Sequence, residues 1–355
     1  MNFNVKTLSV QESTSIPNQI IDSTDSTFKP TPQTLNLNLK QNNSKLAAKV
    51  QYLTFDDLLE TSSANLEGIL SELYPRPESV YFLETSGRLK LTLKQLCVME
   101  SAAKHNPNTT IYLLVVSPIL QDDQLQTFQS EYKNIQVKHI HIPSLIHGTP
   151  IESLWNRNVI QKSKFLTVHL SDVLRIVILF HFGGTYLDLD ALILKPLPEV
   201  PSFIGREHLT YETLANGVLR FKKNHPIMEK LLINMNSSFD GQQWAANGPA
   251  LVTRTLQEFC SQRNLSAMTP ETCQGIQIFE PEMFYPVPYW EWNKLFLDEH
   301  FDYDVSKSVS IHLWGKMSDG VPLENVPNKT KLYDLLEKNC PFSMSMKNFP
   351  PSSII

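Results

Sequence analysis

The stretch FHFGGTYLDLDALILKPLP, residues 180–198, packs a glycine pair, two aspartates and a proline stop into an otherwise apolar run. Gly183 and Gly184 predict the end of a helix, because glycine takes the left-handed C-cap at little cost. Residues 185–194, TYLDLDALIL, then read as a strand that Pro196 and Pro198 stop. On a strand, residues i and i+2 share a face, so Asp188 and Asp190 are expected side by side. Two like charges so placed repel, and burying them is costly. A divalent cation removes both problems: Mg²⁺ and Mn²⁺ favour oxygen ligands and keep positions open for phosphate oxygens. Taken alone, a bare D-x-D is common, and a solvated strand end with two harmless acids is its plain reading.

The residues upstream change that balance. TVHLSDVLRIVILFHFGG is apolar nearly all round and predicts a buried helix from about Thr167 to Phe182. Asp172 and Arg175 interrupt it three residues apart, hence on one face. A buried aspartate and arginine need partners. Either they pair with each other, or they also face a ligand cleft beside Asp188 and Asp190.

Further upstream the pattern is strand, helix, strand, helix, strand. SVYFLETS, TIYLLVVS and IQVKHIHI carry compact apolar runs, as buried parallel strands do. LTLKQLCVMESAAKH has helical spacing at Leu93, Leu96, Cys97 and Ala103, and DDQLQTFQSEY reads as a polar helix. Short connections between them argue an α/β domain with a mainly parallel central sheet flanked by helices. Ligands of such sheets sit beyond the carboxyl ends of the strands. Residues 1–48, rich in Ser, Thr, Asn and Gln, read as a disordered or stem-like segment, and 49–78 as a linker with a short helix near FDDLLE. The folded domain is expected over 79–345, with a tail at 346–355.

The 355-residue chain carries 31 Lys and Arg against 36 Asp and Glu, a formal charge of −5, which gives no reason to expect nucleic acid as a partner. No apolar run reaches the roughly 20 residues of a membrane span, and the N-terminus lacks the apolar core of a signal peptide. Cys97, Cys260, Cys273 and Cys340 allow three pairings. A local Cys260–Cys273 bridge would leave Cys97 and Cys340 to staple the two ends of the domain; four free thiols are the alternative. Sequons at Asn42, Asn108, Asn236, Asn264 and Asn328 lean toward a secretory route.

The run HLSDVLRIVILFHFGGTYLDLDALILKPL resembles the S-D-x-L-R…G-G-x-Y-x-D-x-D signature of DXD-containing glycosyltransferases. More narrowly, the chain is similar to the α-1,4-glycosyltransferase family. FLETSGR…LTLKQLCVMESAAKHNP, GQQWAANGPALVTRTL, MTPETCQGIQIFEPEMFYPVPYWEW and SIHLWGKMS match it in order from about residue 80 to 341. The resemblance implies a GT-A fold, a UDP-sugar donor, a glycolipid or glycan acceptor, and Mn²⁺, with Mg²⁺ as the alternative. It also implies glycosphingolipid synthesis on the lumenal side of the Golgi membrane. Carried onto this chain, Asp188 and Asp190 are the DXD pair, catalytic and metal-binding, and His312 is a late metal or diphosphate contact. Asp172 and Arg175 are counted as catalytic too and line the donor site, Asp172 toward sugar hydroxyls and Arg175 toward donor charge. Phe82, Glu84, Thr85, Ser86, Tyr186 and Lys316 complete the donor contacts. Asn247, Gly248, Trp290 and Trp292 are assigned to the acceptor. Asn247 is expected to cap a helix whose first turn holds Gly248 and Pro249. Phe284, Tyr285 and Tyr289 join the two tryptophans in an aromatic cluster, whose plainer reading is core.

The chain departs from the family in places. Members begin with a cytosolic tail and one membrane span, and none is visible here. Ala246 and Gly315 stand where polar residues are usual, which bears on acceptor choice more than on donor chemistry. The implied reaction is a retaining hexosyl transfer in α-1,4 linkage. No clear carboxylate nucleophile is legible, so a same-face displacement is expected. The rivals are an aspartate-nucleophile phosphatase, which also carries D-x-D but wants Thr or Val where Leu192 stands, and a non-catalytic sugar-nucleotide-binding homologue.

Overall fold

The computed structural model describes residues 79–88, 90–116, 123–297, 301 and 303–346. The stem-like segment, the linker with its helix, the Asn42 sequon and all of the tail but Met346 lie outside them. Among the described residues there are nine strands: β1 (Val80–Glu84), β2 (Ile111–Val115), β3 (Ile135–His139), β4 (Gly184–Leu187), β5 (Ala191–Ile193), β6 (Phe203–His208), β7 (Thr213–Phe221), β8 (Gln277–Phe279) and β9 (Ser310–His312). Seven form the central sheet in the order β3-β2-β1-β4-β7-β6-β8, and β5 pairs with β9 in a separate ribbon. The run β3-β2-β1-β4 is parallel. β7 is antiparallel to both β4 and β6, while β8 returns parallel to β6. This is the mainly parallel, helix-flanked sheet expected of a GT-A fold.

Both faces of the sheet are covered, which explains the unbroken apolar strands. On β1, Tyr81 and Leu83 enter one hydrophobic core and Val80 and Phe82 the other. The first core is closed by α3 (Leu166–Phe182), α4 (Pro226–Ser238) and α5 (Pro249–Phe259). The second is closed by α1 (Leu93–His105), α2 (Asp123–Glu131), α6 (Lys331–Asn339), α7 (Pro341–Met346) and the β5–β9 ribbon. Helix α1 starts with a reciprocal capping box: Gln95 N–H donates to Thr92 Oγ1, and the Gln95 amide oxygen accepts from Thr92 N–H. The same Gln95 side chain donates to Glu84 at the end of β1, at 2.7 Å. α3 is buried as its pattern predicts, and Gly183 closes it at φ +67°. A Cβ there would lie 2.4 Å from the Lys223 nitrogen, so the turn accepts only glycine.

One expectation is overturned here. Residues 185–194 are not a single strand. β4 ends at Leu187, Asp188–Asp190 form a turn, and β5 starts at Ala191 in the other sheet. Asp188 N–H reaches across to Gly217 O (2.8 Å), while Ala191 N–H folds back to Asp188 O (3.0 Å). The chain leaves the central sheet at the two acids. Alternation along a strand therefore does not align them.

The cysteines pair as Cys97–Cys340 and Cys260–Cys273, leaving none free. The first bridge ties α1 to the junction of α6 and α7, across 243 residues of sequence. Such a long loop restrains the unfolded chain strongly. Replacing Cys97 and Cys340 with serine should cost about 2–5 kcal/mol of stability, and replacing Cys260 and Cys273, 13 residues apart, should cost less. Urea unfolding under non-reducing conditions measures both. An unchanged midpoint for the first pair would mean that packing alone holds the C-terminal helices to α1.

Candidate active site

β4 delivers Asp188 to the carboxyl end of the sheet, and the ribbon returns His312 to it. In the ribbon Ala191 pairs with His312, and Leu313 N–H donates to Asp190 O at 2.7 Å. His312 Nε2 then lies 3.1 Å from Asp190 Oδ1 and 3.5 Å from Asp188 Oδ2. One ligand atom from each of the three residues falls within 4.8 Å of the others. The two carboxylates do converge, but on His312 and across a turn.

Arg175 sits behind them. Its Nη1 is 3.1 Å from Asp188 Oδ1 and its Nη2 is 3.4 Å from Asp172 Oδ1. Both alternatives read from the sequence are therefore realised: Arg175 pairs with Asp172 and also faces the DXD pair. Its remaining donors go to Ser171 O (3.1 Å), Ser171 Oγ (2.8 Å) and Asn216 O (2.8 Å). The guanidinium lies over the Tyr186 ring, 4.6 Å from its centroid. Tyr186 O–H donates to Asp188 Oδ1 at 2.6 Å. Arg175, Tyr186 and His312 all address the Asp188 carboxylate.

The charges follow from this geometry. Burial pushes Asp188 up, but Arg175, His312 and Tyr186 outweigh it and hold the carboxyl at about 2. Burial pulls His312 down, yet the carboxylates of Asp190 and Asp188 raise it to about 10. Burial raises Asp172, opposed by Arg175 and by the Asn216 amide, which donates to Asp172 Oδ1 at 2.8 Å. The pocket asks for positive charge between its acids, and the His312 proton answers that demand. Two oxygen donors and an imidazole nitrogen are also a fitting set for a divalent ion such as Mn²⁺.

Three glycines make the room. A Cβ on Gly217 would lie 2.6 Å from Asp188 Oδ2 and 3.1 Å from His312 Nε2. On Gly248 it would meet Asn216 Nδ2 at 2.6 Å and Asp172 Oδ1 at 2.7 Å. Gly315 N–H donates to Asp190 Oδ2 at 2.5 Å, and a Cβ there would stand 2.9 Å from the same oxygen. The departure from the family at Gly315 thus touches the acid pair itself. Asn216 and Gly217 escaped the sequence reading; the available signal was an N-G pair inside an apolar strand, which marks a close backbone approach.

The other predicted residues scatter. Phe82 is fully buried in the core. Glu84 accepts from Ser86 N–H (2.7 Å) and Ser86 O–H, and Thr85 O–H donates to Thr167 O (2.9 Å), so the strand end forms a self-bonded turn. Lys316 is exposed. Asn247 does not cap α5: Gly248 is the N-cap, without a side-chain bond. The Asn247 amide instead bonds both backbone groups of Asp240, at 2.9 and 2.7 Å, and so pins the preceding loop. The aromatic cluster divides. Phe284 and Tyr285 are core, Trp292 packs against Phe296, and Tyr289 and Trp290 are exposed. A residue the sequence reading did not single out, Glu207 on β6, is half-buried near His312 and Tyr285; burial raises its carboxyl, and His312 opposes this.

Comparison with known proteins agrees with this geometry. Residues 93–209 match the glycosyltransferase sugar-binding region containing the DXD motif, and residues 220–347 match the alpha 1,4-glycosyltransferase conserved region. Human lactosylceramide 4-alpha-galactosyltransferase is 29% identical over 275 residues, 75% of this chain and 76% of its own. Human alpha-1,4-N-acetylglucosaminyltransferase is 28% identical over 290 residues, 79% and 82% of the two chains. Among solved structures, PaToxG glycosyltransferase aligns with a TM-score of 0.40 at 19% identity, covering 54% of this chain and 74% of that one. The galactosyltransferase LgtC aligns at 0.37 and 13%, covering 77% and 98%. Both conserved regions are present in order, the DXD acids lie within the first, and over these regions the chain is similar to the α-1,4-glycosyltransferases.

Proposed function

We propose that the chain is a retaining hexosyltransferase, with its catalytic unit at residues 79–345. It takes a UDP-sugar, UDP-galactose first, and transfers the sugar to a galactosyl or N-acetylhexosaminyl acceptor in α-1,4 linkage. The names of the relatives support this donor and acceptor class, and support glycosphingolipid synthesis in the Golgi lumen as the setting. Among the described residues no helix is long and apolar enough to cross a membrane. The observation that carries the reading is the convergence of Asp188, Asp190 and His312 on one point, with Arg175 behind it. Neither rival accounts for the two matched transferase regions together with the intact Asp172, Arg175, Asp188 and Asp190.

Asp188, Asp190 and His312 would hold Mn²⁺, which supplies positive charge for the departing diphosphate. Arg175 keeps Asp188 ionised and in place; its own donors are spent on protein atoms, so it acts through Asp188 rather than on the donor. Asp172 Oδ1 is engaged by Asn216 and Arg175. We assign its other oxygen to a hydroxyl of the donor sugar. Retention follows a same-face displacement. The bond from the anomeric carbon to the diphosphate oxygen breaks, the acceptor oxygen bonds that carbon, and the acceptor proton passes to the leaving diphosphate.

Asp188→Asn and Asp190→Asn should each abolish transfer and Mn²⁺-dependent hydrolysis of UDP-sugars, tested with UDP-galactose, UDP-N-acetylgalactosamine and UDP-N-acetylglucosamine. Near-normal turnover in either variant would remove the metal role. In Gly217→Ala the new methyl should displace the Asp188 carboxylate and weaken UDP·Mn²⁺ binding at least tenfold with the far-ultraviolet spectrum retained; unchanged calorimetric affinity contradicts the close approach. pH gives a signed test on the metal-free protein. The raised His312 contributes stability that is complete below its unfolded value of about 6.5 and lost as pH rises through about 10. The lowered Asp188 contributes stability present above about 3.9 and lost as pH falls through about 2. Mn²⁺ must displace the His312 proton, so binding at pH 7 should release about one proton, read as a buffer-dependent calorimetric enthalpy. Identical enthalpies in phosphate-free buffers of different ionisation heat would exclude His312 as a ligand.

A further inference from the structure

The β6–β7 hairpin carries a group of side chains that the donor site does not use. Tyr211 is 64% exposed and Trp290 41% exposed, yet the two rings are ordered against each other. Their centroids are 5.5 Å apart at 89°, and the His208 ring lies 4.7 Å from Trp290 and 5.2 Å from Tyr211. Thr210 N–H donates to His208 Nδ1 (3.1 Å) and orients that ring. Underneath, the buried Arg206 fixes the hairpin: it reaches Leu209 O at 3.1 Å, Glu212 and Glu280 at 3.3 Å, and Ser266 Oγ at 3.0 Å. Glu212 in turn accepts from Leu265 N–H at 2.7 Å. Through its two Nη atoms Arg206 ties the hairpin that carries His208 and Tyr211 to Ser266 and Glu280.

This group is continuous with the acid cluster. Trp290 touches Tyr289 (5.0 Å), Tyr289 touches Trp314 (6.1 Å), and Trp314 packs on His312 (4.4 Å). Glu207 lies on the strand between. Its neighbours Arg206 and His208 pair with Leu214 and Thr213, and the register slips around it. Glu207 lies within electrostatic reach of His312 and Tyr285, and a Cβ on the nearby Gly205 would meet Phe284 and Tyr285. Among the described residues its carboxylate makes no hydrogen bond, although it is half-buried.

We propose that His208, Tyr211 and Trp290 form an acceptor subsite that stacks a sugar ring, and that Glu207 accepts a hydrogen bond from an acceptor hydroxyl between that ring and the acid cluster. The chemistry selects a carbohydrate. A pyranose has an apolar C–H face and a rim of hydroxyls. The three rings offer apolar faces with an indole N–H, a phenol O–H and an imidazole at their edges. The subsite rests on the transferase reading for its occupant, and it goes beyond that reading in assigning Glu207, His208 and Tyr211.

The test measures glycoside binding and nucleotide binding separately. Methyl β-lactoside and methyl β-N-acetylglucosaminide are titrated into the protein in the presence of Mn²⁺ and UDP, by ligand-observed NMR, and UDP is titrated by calorimetry. The wild type should bind at least one glycoside. The double variant Tyr211→Ala, Trp290→Ala should weaken that binding about tenfold or more with UDP affinity retained, which also certifies its fold. Glu207→Ala should weaken it similarly, and Glu207→Gln, which keeps an acceptor oxygen, should restore most of it. Unchanged glycoside affinity in the double variant overturns the stacking subsite, as does a wild type that binds UDP but neither glycoside. Unchanged affinity in Glu207→Ala overturns the role of that carboxylate. A wild type that fails to bind UDP instead overturns the donor site.

Discussion

Two carboxylates are held against one imidazole at the carboxyl end of a central strand, and much of the surrounding structure serves to make that tolerable. Neither Asp188 nor Asp190 is fully solvated, and Asp188 is held ionised. Their charge is met from behind by Arg175 and from the front by protonated His312. A buried ion pair does not by itself add net stability. Here it decides position and protonation state. Asp188 remains ionised because Arg175, Tyr186 and His312 all address its oxygens, and His312 keeps its proton because two acids share it. A site poised with a proton where a divalent ion fits is one whose ligands are already gathered before the ion arrives.

That gathering depends on small residues as much as on charged ones. Gly217, Gly248 and Gly315 each leave out a Cβ that would press into an acid or its partner. They come from three different parts of the chain: the middle of β7, the cap of α5 and the loop after β9. Each lets backbone approach where a side chain would hold it off. The disulfide from Cys97 to Cys340 clamps α1 to the C-terminal helices, on the same side of the sheet as the ribbon that carries His312.

The sequence was most legible where local physics is strongest. The apolar runs of β1 and β2 and the all-round apolar α3 emerge as read, because burial on both faces demands that composition whatever the detail of packing. The turn at Asp188–Asp190 was misread as strand because Thr185–Leu194 has continuous strand propensity, and it is broken only because the second half pairs with β9 outside the central sheet. Asn247 was misread as a cap because an Asn before Gly-Pro is locally persuasive, yet the backbone of Asp240 competes for the same amide. The aromatic block at 284–292 could not be divided into core and surface by composition. Phe284 and Trp290 differ in which elements happen to lie above them.

The sequence by itself determined the α/β class, the buried helix with its Asp172 and Arg175, and the presence of a closely spaced acid pair after it. Residue type and short spacing suffice for these, since they follow from the cost of burying charge and from helical and strand periods. Only the tertiary structure decided that His312, more than 120 residues after the acids, closes their cluster through an antiparallel ribbon. It alone decided that Arg175 serves Asp188 as well as Asp172, and that Glu207 is left half-buried with no hydrogen bond among the described residues. Those outcomes depend on distances between segments remote in sequence. Such distances are set by the summed packing of the whole domain and carry no local signature.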